Sequence, residues 1–90
     1  MTISINRISD EKFEVNIELI ESTSHLVFLS DETHLKIANK TINKEDLINF
    51  SIEFLLKREP NTSILSSFDL KQISTYFPEF FEEVKSWINE

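Results

Sequence analysis

The sequence predicts an α+β fold in which a three-stranded antiparallel sheet at the N-terminus packs against a C-terminal cluster of three to four helices. Three observations carry this expectation. Apolar and polar residues alternate through the first twenty positions, the period of a strand with one buried face. From Lys44 onward the apolar residues recur at helical spacing, and Pro60 and Pro78 stand where helices end or begin. Ninety residues with 40% apolar content, no internal repeat and no linker suit one core, so residues 1–90 read as a single α+β domain.

Ile3 and Ile5 alternate with Ser4 and Asn6, which predicts a first strand over Thr2 to Ile8. After the polar break Ser9 to Glu11 the pattern strengthens: Phe13, Val15, Ile17 and Leu19 face one way, Glu14, Asn16 and Glu18 the other. The short connection makes these two strands an antiparallel hairpin with its acidic face in water. Glu21 to Ser24 reads as a second break, followed by a short β-prone run from Leu26 to Leu29.

Ser30 can cap a short helix from Asp31 to about Ala38, with acids in the first turn where the helix dipole favours them. Asn43 suits the N-cap of the next helix, Lys44 to Glu59, whose apolar residues cover more than half of its circumference and make it the buried central element. Pro60 ends it. Ser66 with Asp69 three residues on has capping-box spacing, which places a short helix at about Ser67 to Thr75. Pro78 fits the first position of a final helix carrying the stripe Phe77, Phe80, Phe81, Val84, Trp87 and Ile88. With no glycine in the chain, left-handed turn positions are expected to fall to Asn39, Asn43 and Asn61.

Composition narrows function by exclusion. Sixteen acidic residues against nine basic ones give a formal charge of -7, which repels a phosphate backbone and anionic lipid, so nucleic acid is a disfavoured partner. The absence of cysteine removes disulfide staples and thiolate zinc sites, and a reducing, cytoplasmic compartment fits best. The longest uninterrupted apolar run, Leu26 to Leu29, is far short of the roughly 20 residues of a membrane span, and no signal-peptide pattern opens the chain, so no membrane association is expected.

Residues that carry chemistry elsewhere have structural explanations here. His25 and His34 fall on different elements without ligand spacing, one at a strand edge and one on an exposed helix face, so no metal is expected. Without glycine neither a nucleophile elbow nor a phosphate loop can form. The acid pairs Asp31/Glu32, Glu45/Asp46 and Glu82/Glu83 lie at helix starts, where they match the dipole. The reading is therefore non-enzymatic, with no catalytic residue and no cofactor. Arg58 lies near the apolar arc of the central helix and needs a partner; Asp69 and Glu79 lie in the segment that folds back over that helix, and a structural ion pair, with Asp69 as the named partner, or a carbonyl cap is expected. The aromatic set Tyr76, Phe77, Phe80, Phe81 and Trp87 is either core alone or core plus an exposed contact patch, the candidate surface for an unidentified protein partner or for self-association.

The run FLLKREP, SILSSFDL, ISTYFPEF resembles a family of small bacterial proteins of uncharacterised function that share an FLLxREPxxSIL / FDLxxIxxYFPE signature near the C-terminus. The match spans Phe54 to Phe80. It implies a bacterial, cytoplasmic protein and carries no activity, cofactor or catalytic residue with it. The order of the strand Leu26 to Leu29, the short helix and the long helix also resembles a ribbon-helix-helix repressor or antitoxin, whose paired strands read the DNA major groove. The chain departs from that pattern at the strand, where His25, Val27 and Leu29, or alternatively Leu26 and Phe28, are poor base readers, and at Glu45 and Asp46, where a helix start would meet phosphate. The leading expectation is a protein-interaction module, the alternative a ribbon-helix-helix-like DNA-binding or antitoxin protein.

Overall fold

The computed structural model describes residues 2–39 and 41–89. Strands β1 (Thr2–Ser9), β2 (Lys12–Glu18) and β3 (Ser22–Phe28) form an antiparallel meander in which Ile5 pairs with Val15 and Val15 with His25. Phe13, Val15, Ile17 and Val27 are completely buried, so the inner face of this meander is one wall of the core. Each such side chain contributes about 1.5–3 kcal/mol by leaving water.

The chain then crosses through α1 (Asp31–Ile37) and α2 (Lys44–Leu56) and returns as a short fourth strand, β4 (Ser67–Asp69), parallel to β3. The sheet order is β1-β2-β3-β4. This corrects the expected three-stranded antiparallel sheet: the sheet has four strands and is mixed. Ser67, Phe68 and Asp69 are too few for an alternation to show in sequence, yet Phe68 is buried and pairs with Val27. The capping box lies three residues later than expected. Asp69, not Ser66, caps the turn, accepting from the Lys71 N–H while the Gln72 side chain accepts from the Asp69 N–H. A 3₁₀ turn over Leu70–Gln72 follows, then α3 (Ile73–Tyr76) and α4 (Phe80–Ile88).

Other boundaries shift for identifiable reasons. β3 begins at Ser22, because the polar Thr23 and Ser24 pair with Ile17 and Asn16 of β2. Helix α2 ends at Leu56, three residues before the expected end, and residues 57–59 turn toward Pro60. The caps Ser30 and Asn43 fall where expected, each accepting from the backbone N–H three residues on. No described residue has positive φ, so Asn39, Asn43 and Asn61 do not serve as left-handed positions. They act through their side chains: Asn39 accepts from Thr41, Asn43 caps α2, and Asn61 donates to the Glu21 carbonyl.

Helix α2 is the central element. Leu47, Ile48, Ser51, Ile52, Phe54 and Leu55 are buried along it, and the Ser51 hydroxyl satisfies itself by donating to the Leu47 carbonyl at 2.7 Å. At its first turn Lys44 is buried, donating to the Asp10 carbonyl at 2.6 Å and pairing with Asp31 at 2.7 Å. One ammonium thus ties the β1–β2 turn, α1 and α2 together. The His34 ring reaches the Ile42 carbonyl and holds the α1–α2 connection.

Candidate functional site

A mainly apolar open groove of about 360 Å³ lies between the C-terminal end of α2 and α3. Leu55 of α2 and Phe68 of β4 form its floor, and Ile64, Ile73 and Phe77 line it. Leu65 and Tyr76 lie on its rim and are 48% and 65% exposed. Glu59, Ser63 and Gln72 supply its polar groups. Large side chains left this exposed beside a hollow retain a hydrophobic driving force for whatever covers them, at about 25 cal/mol per Å².

The backbone beneath Leu65 is firmly held. The Leu26 N–H donates to the Ser66 carbonyl at 2.8 Å, and Nδ1 of the buried His25 donates to the Leu65 carbonyl at 2.7 Å. In the neutral ring that leaves Nε2 as acceptor from the Thr23 hydroxyl at 2.8 Å, and Thr23 Oγ1 accepts in turn from Asn61 Nδ2 at 3.1 Å. His25 is therefore not at a free strand edge, as expected, because β4 covers that edge. This relay joins β3 to the α2–β4 connection and leaves the Leu65 side chain pointing outward from a fixed backbone.

The five aromatic residues of the expected contact surface do not form one patch. Tyr76 and Phe77 belong to the groove. Phe80 is fully buried, edge-on to Phe54 at 5.1 Å between centroids, and so offers no surface. Phe81 faces a different depression, with Ile37, Lys36 and Lys71. Trp87 stacks on Phe50 at 4.4 Å. A turn between α3 and α4, with the Phe80 N–H bonded to the Phe77 carbonyl, rotates the two helices out of a common stripe. Leu65 was the residue that periodicity missed, since it lies in no helix; its signal was a large apolar residue between turn residues, in Ser63 to Ser66.

The expected Arg58–Asp69 ion pair does not form. Asp69 is engaged as the cap of its own turn, and Arg58 reaches Glu79 and Glu83 at 3.4 and 3.3 Å. Arg58 also covers the Phe54 ring and lies 6.0 Å from the centroid of Phe77, so it buttresses one wall of the groove.

Carboxyl groups with perturbed acidity lie elsewhere. The hydrogen bond and the charge of Lys44 hold Asp31 below the ordinary carboxylate value. Burial pushes Glu45 up, but a hydrogen bond from Arg7, its own N–H at the start of α2 and the nearby Arg7 and Lys44 charges outweigh it and leave Glu45 lowered. Neither group lines the groove. Among the described residues no three His, Cys, Asp or Glu side chains gather as metal ligands. Among the described residues no helix is long and apolar enough to cross a membrane. The strand compared above with a DNA-reading ribbon is internal, paired by β2 on one side and by β4 on the other. No family model, no curated protein and no solved structure matches the chain.

Proposed function

We propose that the chain is a non-enzymatic protein-interaction module of the bacterial cytoplasm, and that the groove between α2 and α3 receives apolar side chains of a partner protein. The carrying observation is the pairing of exposed Leu65 and Tyr76 across an apolar hollow whose backbone is fixed by the His25 relay. Aromatic and aliphatic anchors on a rigid surface bind at low entropic cost. The stretch Phe54 to Phe80, which resembles the FLLxREPxxSIL / FDLxxIxxYFPE family, is also the stretch that builds the groove. What supports a binding role is the mainly apolar lining of the groove, whose polar side chains are Glu59, Ser63, Gln72 and Tyr76.

The test is affinity capture from a bacterial host with the wild-type chain and with Leu65→Glu, whose fold is checked by circular dichroism. Leu65 is exposed enough for the charge to be solvated in the free chain. A defined protein retained by the wild type and lost with Leu65→Glu supports the reading; identical capture by both refutes it.

A further inference from the structure

Apart from the groove, the outer edge of β1 is a surface with the chemistry of an interface. Among the described residues no strand pairs with it, so one row of its backbone N–H and C=O groups faces away from the sheet. This edge is eight residues long, against three for β4 at the other side. Long edges ordinarily carry Lys, Pro or a mid-strand bulge that blocks pairing. Thr2 to Asn6 has no charge and no proline in a chain that is 28% charged, and its irregularity comes only at the far end, between Arg7 and Ser9.

We propose that this edge pairs antiparallel with β1 of a second copy of the chain, joining two four-stranded sheets into one of eight strands across a two-fold axis. Self-complementarity argues for a second copy. With Ser4 on the axis, Ile3 of each copy meets Ile5 of the other on the inner face, where both are only half-buried at the margin of the core. On the outer face Ser4 meets Ser4, and Thr2 meets Asn6, all neutral hydrogen-bonding residues. Charge restricts the alternatives. Each copy carries -7, so acidic surfaces oppose each other in most approaches, whereas this edge sets no acid against an acid. Added salt screens the remaining repulsion and strengthens the association.

The test is the solution mass of the full chain by light scattering across a concentration series, at low and high salt. The wild type is expected to move from monomer to twice the monomer mass, at lower concentration in high salt. Ser4→Lys sets two ammonium groups together on the axis and Asn6→Lys adds one on each side of it, all at exposed positions; the double variant is expected to stay monomeric, with unchanged circular dichroism and denaturation midpoint. Leu65→Glu is expected to dimerise like the wild type. Amide exchange adds a second measure: alternate β1 amides slow as the dimer forms. A wild type that stays monomeric at every concentration overturns the proposal. So does a dimer that survives the double lysine variant, and its loss in Leu65→Glu would then place the contact in the groove.

Discussion

The guanidinium carbon of Arg58 lies 3.6 Å from the centroid of the Phe54 ring, and its Nη1 donates to the carbonyl of that same Phe54 at 3.0 Å. Arg58 thus closes the C-terminal end of α2 on itself, four residues back, before reaching Glu79 and Glu83 across the chain. The two carboxylates are each 51% exposed, so their pairs contribute little; the ring contact and the carbonyl bond, made by a side chain only 23% exposed, carry most of the effect. Arg58→Met should lower stability by about 1–2 kcal/mol. Glu79→Gln with Glu83→Gln should cost less than about 1 kcal/mol. Urea denaturation of the three proteins checks the order, and a larger loss in the double Gln variant would reverse the assignment.

The distinction between what was and was not legible follows the range of the interactions. β2 was readable because Phe13, Val15 and Ile17 repeat one local pattern three times. The caps Ser30 and Asn43 act over three residues, so sequence spacing contains the whole interaction. β4 has no pattern of its own and exists because β3 offers it an edge 41 residues away in sequence. Arg58 had several acids within reach, and the choice of Glu79 and Glu83 over Asp69 depended on Asp69 being committed to its own turn. The groove was half legible: Phe77 lay on a stripe and Tyr76 in the aromatic set beside it, whereas Leu65 is exposed because of where His25 holds its carbonyl.

His25 and Asn61 share Thr23 Oγ1 and should not act independently. His25→Leu leaves the Leu65 carbonyl without its partner and the Thr23 hydroxyl with Asn61 alone, in a part-buried site, and should cost about 1–3 kcal/mol. Asn61→Ala releases the Glu21 carbonyl and should cost about 1–2 kcal/mol. Once one link of the relay is gone, the other has less to lose, so the double variant should fall short of the summed losses by at least about 0.5 kcal/mol. A double-mutant cycle on denaturation free energies measures this, and strict additivity would contradict the shared relay.

The Lys44 cluster should appear in the acid limb of stability. Asp31 and Glu45 have folded-state values below their ordinary 3.8 and 4.5, so their stabilisation is present above those values and is lost as pH falls through the lowered ones. Lys44 is the first cause of the Asp31 shift and a minor one for Glu45. Lys44→Met should therefore flatten the loss of stability below about pH 4, and it should cost about 1 kcal/mol near neutral pH through the Asp10 carbonyl bond. Denaturation midpoints from about pH 3 to pH 7 test the slope. Parallel acid limbs in the two proteins would remove Lys44 as the cause.

Trp87, the only tryptophan, reports on the docking of α4 through its stack on Phe50, with planes 13° apart. Phe80 and Val84 anchor the helix in the core, so the Phe50 contact governs its last turn and not its attachment. Phe50 is half-buried, and truncation should cost less than at a fully enclosed site; about 1–3 kcal/mol is expected for Phe50→Ala. Removing the ring admits water to one face of the indole, so Trp87 emission should shift to the red while circular dichroism holds. Phe50→Leu keeps volume without the stacked face and should retain most of the stability with part of the shift. If emission is unchanged in Phe50→Ala, the last turn of α4 is held by something other than this stack.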